Sequence, residues 1–275
     1  MKMLTTEAVD HYRTHGFYAP IRALSIQEAG TLRRKLEAHE NRHGLLKGPM
    51  RHKSHLLFTW LDELIRHPAI LDGVEDIIGP NILVWGSSFF TKEGHDPGYV
   101  SWHQDSTYWG LDPADIVTAW VALSESTAEN GAMRVIPGSH KLDQIEHHDT
   151  FAEGNLLSRG QEIAVDVDET RARMLELRPG EMSLHHVRLI HGSDPNPSGK
   201  RRIGFAIRYL PTYVRQVVGT HDSATLVRGV DEFRNFEPEQ RPESDLSEAA
   251  VAFHAHITGA HQQVLMRDTG RTAAA

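Results

Sequence analysis

Apolar residues in the first part of the chain recur at intervals of three and four, the period of an amphipathic helix. One helix is predicted after Thr5, a residue type that caps helices well. A second is predicted after Ser25, where Glu28 completes a capping box. Two more helical segments are predicted at residues 56–65 and 68–78. Residues 1 to about 80 are therefore predicted to form a helical layer.

The pattern changes after Asn81 to short runs of apolar and β-branched residues separated by glycine and proline. Such spacing predicts short strands joined by turns, as in a sandwich, a jelly roll or a barrel. Helical periodicity returns near the end of the chain, at about residues 245–265. We therefore predict a single domain over residues 1–275, mainly β with α, in which helices flank a jelly-roll core at about residues 81–215.

Composition narrows the functions open to this chain. The 29 Lys and Arg residues against 37 Asp and Glu residues give a net charge of −8, which argues against a nucleic-acid partner. No apolar run approaches the roughly 20 residues of a membrane span, and the first residues lack the apolar segment of a secretory signal. We expect a cytoplasmic protein with a small-molecule partner and no membrane partner; the sequence predicts no oligomeric state.

Cysteine is absent and histidine is abundant, with 19 residues. The lack of cysteine excludes disulfides, thiolate zinc sites, iron–sulfur ligation and cysteine nucleophiles. A metal site in this chain must therefore use imidazole and carboxylate groups. Two histidines and one carboxylate are the usual set for a non-heme metal with open coordination positions.

Two His-x-Asp triplets offer half of such a site, because side chains at positions i and i+2 of a strand face the same way. His103 and Asp105 follow a strand-like run that contains Trp102, which favours them as metal ligands. His147 and Asp149 lie in a charged stretch with weak strand character, which we interpret as a loop.

A third ligand must come from elsewhere, and three histidines lie near one predicted strand end: His185, His186 and His191. Buried hydrogen-bonded or surface positions are the default interpretation for His185 and His186. A turn after His191 leads to Arg201 and Arg202, and an arginine on a neighbouring strand is well suited to bind a carboxylate.

Three sequence segments together resemble the phytanoyl-CoA dioxygenase family of Fe(II)/2-oxoglutarate oxygenases. They are WHQD at 102–105, NGAMRVIPGSH at 130–140, and HGS at 191–193 followed by Arg201-Arg202. The order fits, as do the separations of 88 residues between His103 and His191 and 11 residues between His191 and Arg202. The resemblance runs from about Asn81 to Tyr209 and implies a double-stranded β-helix (jelly roll, cupin-like).

The resemblance implies roles for individual residues, and Fe(II), 2-oxoglutarate and O2 as cofactor and co-substrates. His103, Asp105 and His191 would be the iron ligands. Residues implied to bind or contact 2-oxoglutarate are Arg202 through its distal carboxylate, Ser193 through its hydroxyl, Trp120, and Lys53. Arg201 is the alternative to Arg202, since successive side chains of a strand face opposite ways and only one can enter a pocket.

The reaction implied is hydroxylation of a substrate C–H bond with release of succinate and CO2. Related halogenases carry a small residue in place of the carboxylate ligand, so Asp105 favours hydroxylation or desaturation over halogenation. We predict a small polar or zwitterionic substrate, such as an aminoalkylphosphonate. Aromatic residues near the metal motif could line its pocket, although packing in the core is their default interpretation: Trp85, Phe89, Phe90, Tyr108 and Trp109. Basic residues near the entrance could hold an anionic group, although a solvated surface is their default interpretation: Lys47, Arg51, Lys53 and Lys92.

Other functions remain open at this point. The same oxygenase chemistry could act on an acyl-CoA or a natural-product intermediate. A zinc- or manganese-dependent cupin-like hydrolase or isomerase could use the same His-Asp-His set but would not need Arg202 or Ser193. A metal-binding or sensory jelly roll without catalytic activity is the third alternative.

Overall fold

The structure is a computed structural model that describes residues 1–219 and 222–266. Its helices begin and end close to the predicted positions. Thr5 caps the first helix, and Ser25 and Glu28 form the predicted capping box of the second. The helices are α1 (Thr6–His15), α2 (Ile26–His43), α3 (Thr59–Ile65), α4 (Pro68–Ile78) and α5 (Glu248–Leu265). None of the helices in these ranges combines the length and apolar character that a membrane span requires.

Two sheets of mainly antiparallel strands form the β portion. The larger has the order β1-β10-β5-β12-β2-β14-β15, the smaller β3-β11-β6-β9, and β13-β4 and β7-β8 form separate pairs. The strands are β1 (Phe17–Arg22), β2 (Ile82–Lys92), β3 (Val100–His103), β4 (Leu111–Asp112), β5 (Val117–Ala122), β6 (Met133–Val135), β7 (His147–Asp149), β8 (Gln161–Ile163), β9 (Arg173–Leu175), β10 (Glu181–His186), β11 (His191–Ser193), β12 (Arg202–Pro211), β13 (Arg215–Gln216), β14 (Ser223–Arg228) and β15 (Glu237–Pro238). The predicted jelly-roll class with flanking helices is confirmed.

Strand β12 divides the molecule into two sides because its side chains alternate. Ile203, Phe205, Ile207 and Tyr209 are fully buried in the main hydrophobic core together with apolar residues of α3 and α4. The intervening positions, from Arg202 to Arg208, face the opposite side of the sheet and line a cavity. Strand β5 follows the same rule, with Val117, Ala119 and Val121 in the core. One face of the larger sheet is thus an apolar core and the other is free to carry polar groups.

Four strands depart from the predicted layout. Strand β1 lies inside the region predicted to be helical and pairs with β10, and Pro20 weakens its strand pattern. Strands β14 and β15 lie beyond residue 215; they pair with each other, and β14 pairs with β2 in the larger sheet. The stretch interpreted as a loop at His147 forms β7, which pairs with β8. β1 and β14 are stabilised by partners distant in sequence, which local patterns do not show.

Candidate metal centre

Strand pairing brings together the three residues expected to bind a metal. His191 begins β11 and pairs directly with His103, the last residue of β3. Asp105 follows two residues later, where the chain turns into a short 3₁₀ helix at Asp105–Tyr108. One ligand atom from each of the three residues lies within 4.8 Å of the others. Two imidazoles and one carboxylate therefore converge on one point.

Hydrogen bonds to the backbone orient both imidazoles. His103 Nδ1 lies 2.9 Å from the Ser101 carbonyl oxygen, and His191 Nδ1 lies 2.9 Å from the Leu189 carbonyl oxygen. A carbonyl oxygen only accepts hydrogen bonds, so each Nδ1 is a donor and each Nε2 is the nitrogen left for the cluster. Carbonyl partners of this kind commonly fix the tautomer of metal-binding histidines.

The electrostatics of the cluster also suit a cation. Burial acts to raise the pKa of Asp105, but His103, His191 and Arg208 outweigh it and hold that pKa well below its usual value. Burial, together with nearby His103, lowers the pKa of His191 to about 4. Near neutral pH the carboxylate is thus ionised and the His191 imidazole is neutral, the forms in which both groups bind metals.

A cavity of about 450 Å³ opens from this cluster between the two sheets. Arg202 and Ser193 line it, and both side chains are buried. Arg202 donates to the carbonyl oxygen of Gly131, but its buried Nε has no hydrogen-bond partner among the described residues. Burial lowers the pKa of Arg202 to about 10, which leaves the guanidinium charged at neutral pH. The cavity therefore presents a positive charge and free donor groups to an anion.

Lys92 adds a second positive charge beside Arg202, its partner in the β2–β12 register. Its side chain is fully buried, and its Nζ donates to Ser193 Oγ at 2.8 Å and to the carbonyl oxygen of Asp194. Burial and the charge of Arg202 lower the pKa of Lys92 to about 7. The sequence suggested an entrance position for Lys92, but the structure places it in the interior behind Ser193.

Arg201 and Arg202 face opposite sides of the strand, as alternation requires. Arg201 forms ion pairs with Glu40 at 2.7 Å and with Glu93 at 2.6 Å. Arg202 lines the cavity and lies 5.6 Å from the ring of Trp120, which also lines it. The structure thus brings Arg202, Ser193 and Trp120 to the same cavity as the three candidate ligands.

The chain matches the family model described as "Phytanoyl-CoA dioxygenase (PhyH)" over residues 2–204. The chain belongs to the phytanoyl-CoA dioxygenase family. A curated relative, the "Probable alpha-ketoglutarate-dependent hypophosphite dioxygenase" of Stutzerimonas stutzeri, is 34% identical over 160 residues, covering 56% of this chain and 54% of the relative. The matched stretch thus spans about half the length of that relative.

Two solved structures extend the comparison across most of the fold. The apo form of the non-heme monooxygenase ThoJ is 35% identical, with a TM-score of 0.84 over 94% of this chain and 97% of ThoJ. The structure titled "CytC3 with Fe(II) and alpha-ketoglutarate" is 26% identical, with a TM-score of 0.63 over 88% of this chain and 99% of CytC3. The family-model match confirms the family that the sequence motifs indicated, and these two structures extend the similarity to the fold.

Lys53, expected from the family resemblance near the co-substrate, is not among the residues lining the 450 Å³ cavity. Its buried Nζ donates to Glu239 and, at 2.8 Å, to the carbonyl oxygen of Ser223. Because Glu239 lies 186 positions from Lys53 in sequence, no local sequence pattern predicts this ion pair. The charge of Lys53 is therefore matched by a buried carboxylate rather than directed at the proposed co-substrate site.

The side chains of the second His-x-Asp triplet, His147 and Asp149, form hydrogen bonds and an ion pair within the protein. His147 Nε2 accepts from the Gln104 backbone N–H at 2.9 Å, and its Nδ1 lies 2.8 Å from the Ile145 carbonyl oxygen. Asp149 accepts from the Tyr108 hydroxyl at 2.7 Å and forms an ion pair with Arg159. In this family member the triplet thus supports the loop that follows Asp105.

Three polar residues of the cavity wall were not singled out as site residues from the sequence: Thr118, His185 and Arg208. The Thr118 hydroxyl and His185 Nδ1 are buried without a hydrogen-bond partner in the described part of the chain. Burial lowers the pKa of His185 to about 3, so its imidazole is neutral. Strand alternation would have indicated Arg208, which lies six residues after Arg202 on the same face of β12.

Gly204 allows the indole of Trp120 to lie against β12. A Cβ atom built on Gly204 would overlap the six-membered ring of Trp120. We expect Gly204→Ala to displace the indole and destabilise the protein by about 1–3 kcal/mol, the range typical of overpacking. Urea denaturation measures the change. Gly86→Ala is the matched strand control, since the nearest atom to its added Cβ would be Arg208 Cδ at 3.9 Å; equal stability of the two variants would contradict the prediction.

Proposed function

We propose that this protein is an Fe(II)- and 2-oxoglutarate-dependent dioxygenase that hydroxylates a C–H bond of a small-molecule substrate. The observation that carries the proposal is the shared cavity, which has a His-Asp-His cluster at one side and buried Arg202 at the other. Family membership supports the same chemistry.

The residues present fit an iron ion and a dicarboxylate. His103 Nε2, His191 Nε2 and the Asp105 carboxylate would hold Fe(II), a thiolate-free set that leaves coordination positions open. Arg202 would bind the distal carboxylate of 2-oxoglutarate through donors that include its unpartnered Nε. The Lys92 ammonium can only donate, so the Ser193 hydroxyl accepts from it and can direct its own proton at the same carboxylate.

When bound, the iron centre supplies oxidation by O2, in which 2-oxoglutarate becomes succinate and CO2 and one oxygen atom enters the substrate as a hydroxyl group. The residues of this chain would bind and orient the metal and 2-oxoglutarate, and they would exclude water from the cavity. Trp120, Phe90 and Met133 provide apolar walls around the polar groups. A low-dielectric pocket of this kind strengthens the pairing of Arg202 with a carboxylate.

The substrate would enter a second, larger cavity of about 1620 Å³. This substrate cavity reaches Asp105 and Arg208 and carries aromatic residues, among them Trp85, Tyr108 and Trp109. We propose a small polar or zwitterionic substrate such as an aminoalkylphosphonate. Aromatic faces can hold an ammonium group, and the similarity to the probable hypophosphite dioxygenase of Stutzerimonas stutzeri supports a phosphorus oxyanion.

A bulkier molecule, such as an acyl-CoA or a natural-product intermediate, is the alternative substrate for the same oxygenase chemistry. Succinate formation stimulated by an aminoalkylphosphonate, but not by bulky substrates, would favour the first candidate.

Arg202→Ala tests the oxidative function against a non-oxidative metalloenzyme. We expect the variant to bind 2-oxoglutarate about 10- to 100-fold more weakly, since charge-assisted hydrogen bonds contribute roughly 1.5–3 kcal/mol each. Anaerobic calorimetry in the presence of Fe(II) measures the affinity, and succinate formation measures the turnover. Arg201→Ala is the matched control, because its guanidinium pairs with Glu40 outside the cavity. Unchanged affinity and turnover in Arg202→Ala would contradict the proposed function.

A further inference from the structure

Arg208 is a buried cation that the metal centre and the 2-oxoglutarate site leave unused. Its side chain is only 9% exposed, and it forms no ion pair with any described carboxylate. It donates one hydrogen bond, from Nη1 to Ser88 Oγ at 2.8 Å, and its buried Nε has no partner within the described ranges. The carboxylate that acts on Arg208 is that of Asp105, a proposed metal ligand, and no ion pair closer than 4 Å forms. The free donors of this buried cation therefore suit an additional anion.

Arg208 and Arg202 lie at different ends of the smaller cavity. Six residues of extended strand place the Cα atoms of Arg202 and Arg208 roughly 20 Å apart. Arg202 lies with Ser193 and Lys92, whereas Arg208 lies close enough to Asp105 to lower its pKa. Arg208 lines both the smaller cavity and the substrate cavity, so it stands where the two meet beside the metal centre.

The surroundings of Arg208 fix its orientation. Its guanidinium carbon lies 5.7 Å from the ring centre of Phe90 and 5.6 Å from that of Trp109. The two rings restrict the planar guanidinium, which binds a carboxylate or phosphonate best through parallel donors. The protein thus holds a fork of donors in place for an oxyanion.

The substrate cavity is positively charged around this point. Arg51 lines it as well, and burial lowers the pKa of Arg51. Lys53 also lines the cavity, but Glu239 neutralises it. Among the described lining residues the acidic side chain is Asp105, which the proposed metal would neutralise.

We propose that Arg208 binds an anionic group of the primary substrate, a carboxylate or a phosphonate, and so presents the adjacent C–H bond to the metal centre. The inference rests on the proposed function and deepens it by naming the chemical class of the substrate. Arg51, at the same cavity, would add longer-range attraction for the anion.

Methylphosphonate is a suitable probe, because it carries the proposed anionic group without a defined reaction. The experiment is anaerobic calorimetry on the protein loaded with Fe(II) and 2-oxoglutarate. We expect the wild type to bind methylphosphonate and not its neutral dimethyl ester. Arg208→Gln should weaken binding at least tenfold, and Arg208→Lys, which keeps the charge but loses the fork, should weaken it less. Arg201→Gln is the matched control and should bind like the wild type.

The affinity for 2-oxoglutarate in the same variants identifies the anion that Arg208 binds. If Arg208→Gln weakens 2-oxoglutarate binding as much as Arg202→Ala does while methylphosphonate binding is unchanged, Arg208 serves the co-substrate and the inference is wrong. If the wild type binds 2-oxoglutarate but not methylphosphonate, the inference fails and the oxygenase function stands. If the wild type binds no 2-oxoglutarate, both fail together.

Discussion

His103→Ala is expected to abolish the metal centre and, with it, the visible charge-transfer band that Fe(II) and 2-oxoglutarate form together in anaerobic titration. The variant removes one of the three ligand groups that lie within 4.8 Å of one another. Even changes to residues that merely orient metal ligands reduce metal affinity by about 10- to 100-fold. Loss of a ligand should exceed that range, so no band should appear at Fe(II) concentrations that saturate the wild type.

The control for this prediction replaces a histidine outside the proposed metal centre. His148 is exposed and lies in the second His-x-Asp triplet, between His147 and Asp149. His148→Ala should therefore retain the full band. Circular dichroism would establish that both variants are folded. Persistence of the band in His103→Ala would disprove the metal assignment.

Glu239→Ala is expected to cause the largest loss of stability among our predictions, about 3–5 kcal/mol. The carboxylate is fully buried and accepts from Lys53, from His55 Nε2 at 3.2 Å, and from two hydroxyl groups, Ser223 Oγ at 2.8 Å and Thr225 Oγ1 at 2.5 Å. Removing it leaves the ammonium of Lys53 buried without a counter-charge. Urea denaturation at pH 7 measures the change in the free energy of unfolding.

A double variant separates charge pairing from general packing. Lys53→Met combined with Glu239→Leu removes both charges, so it should be less destabilised than Glu239→Ala even though it carries one more substitution. A Glu239→Ala variant within about 1 kcal/mol of the wild type would contradict a structural role for the pair.

Low pH should reduce the stabilisation that Glu239 provides through Lys53 and His55. Burial acts to raise the pKa of Glu239, but Lys53 and His55 outweigh it and hold the pKa well below its usual range. The stabilisation is therefore fully present above the unfolded-state pKa of about 4.3 and is lost as the pH falls below it. The difference in stability between the wild type and Glu239→Ala should shrink in acid.

Half of the metal cluster could be predicted from short-range spacing, because His103 and Asp105 lie two positions apart at the end of a strand. His191 lies 88 residues away and was identified through the family resemblance; pairing of β11 with β3 brings it to His103. Strand alternation separates Arg202 from Arg201, but the resemblance was needed to favour Arg202.

Other parts of the structure depend on partners that no local pattern reveals. Glu239 neutralises Lys53 from 186 positions away, so the family-based expectation for Lys53 could not be checked against its true environment. Strand β1 is specified by pairing with β10 rather than by its own composition. Arg208 was visible as a strand residue, but its unpartnered Nε and its place beside the metal centre became apparent only in three dimensions.

The two-sided character of β12 has a consequence for how this protein can change over generations. Substitutions at Ala206 or Arg208 alter the cavity without touching Phe205 or Ile207, so ligand preference can drift while the core is preserved. Insertion or deletion of one residue would reverse every following side chain, turning core residues toward the cavity and arginines into the apolar core. Selection should therefore tolerate varied residues on one face of β12 and forbid any change in its length.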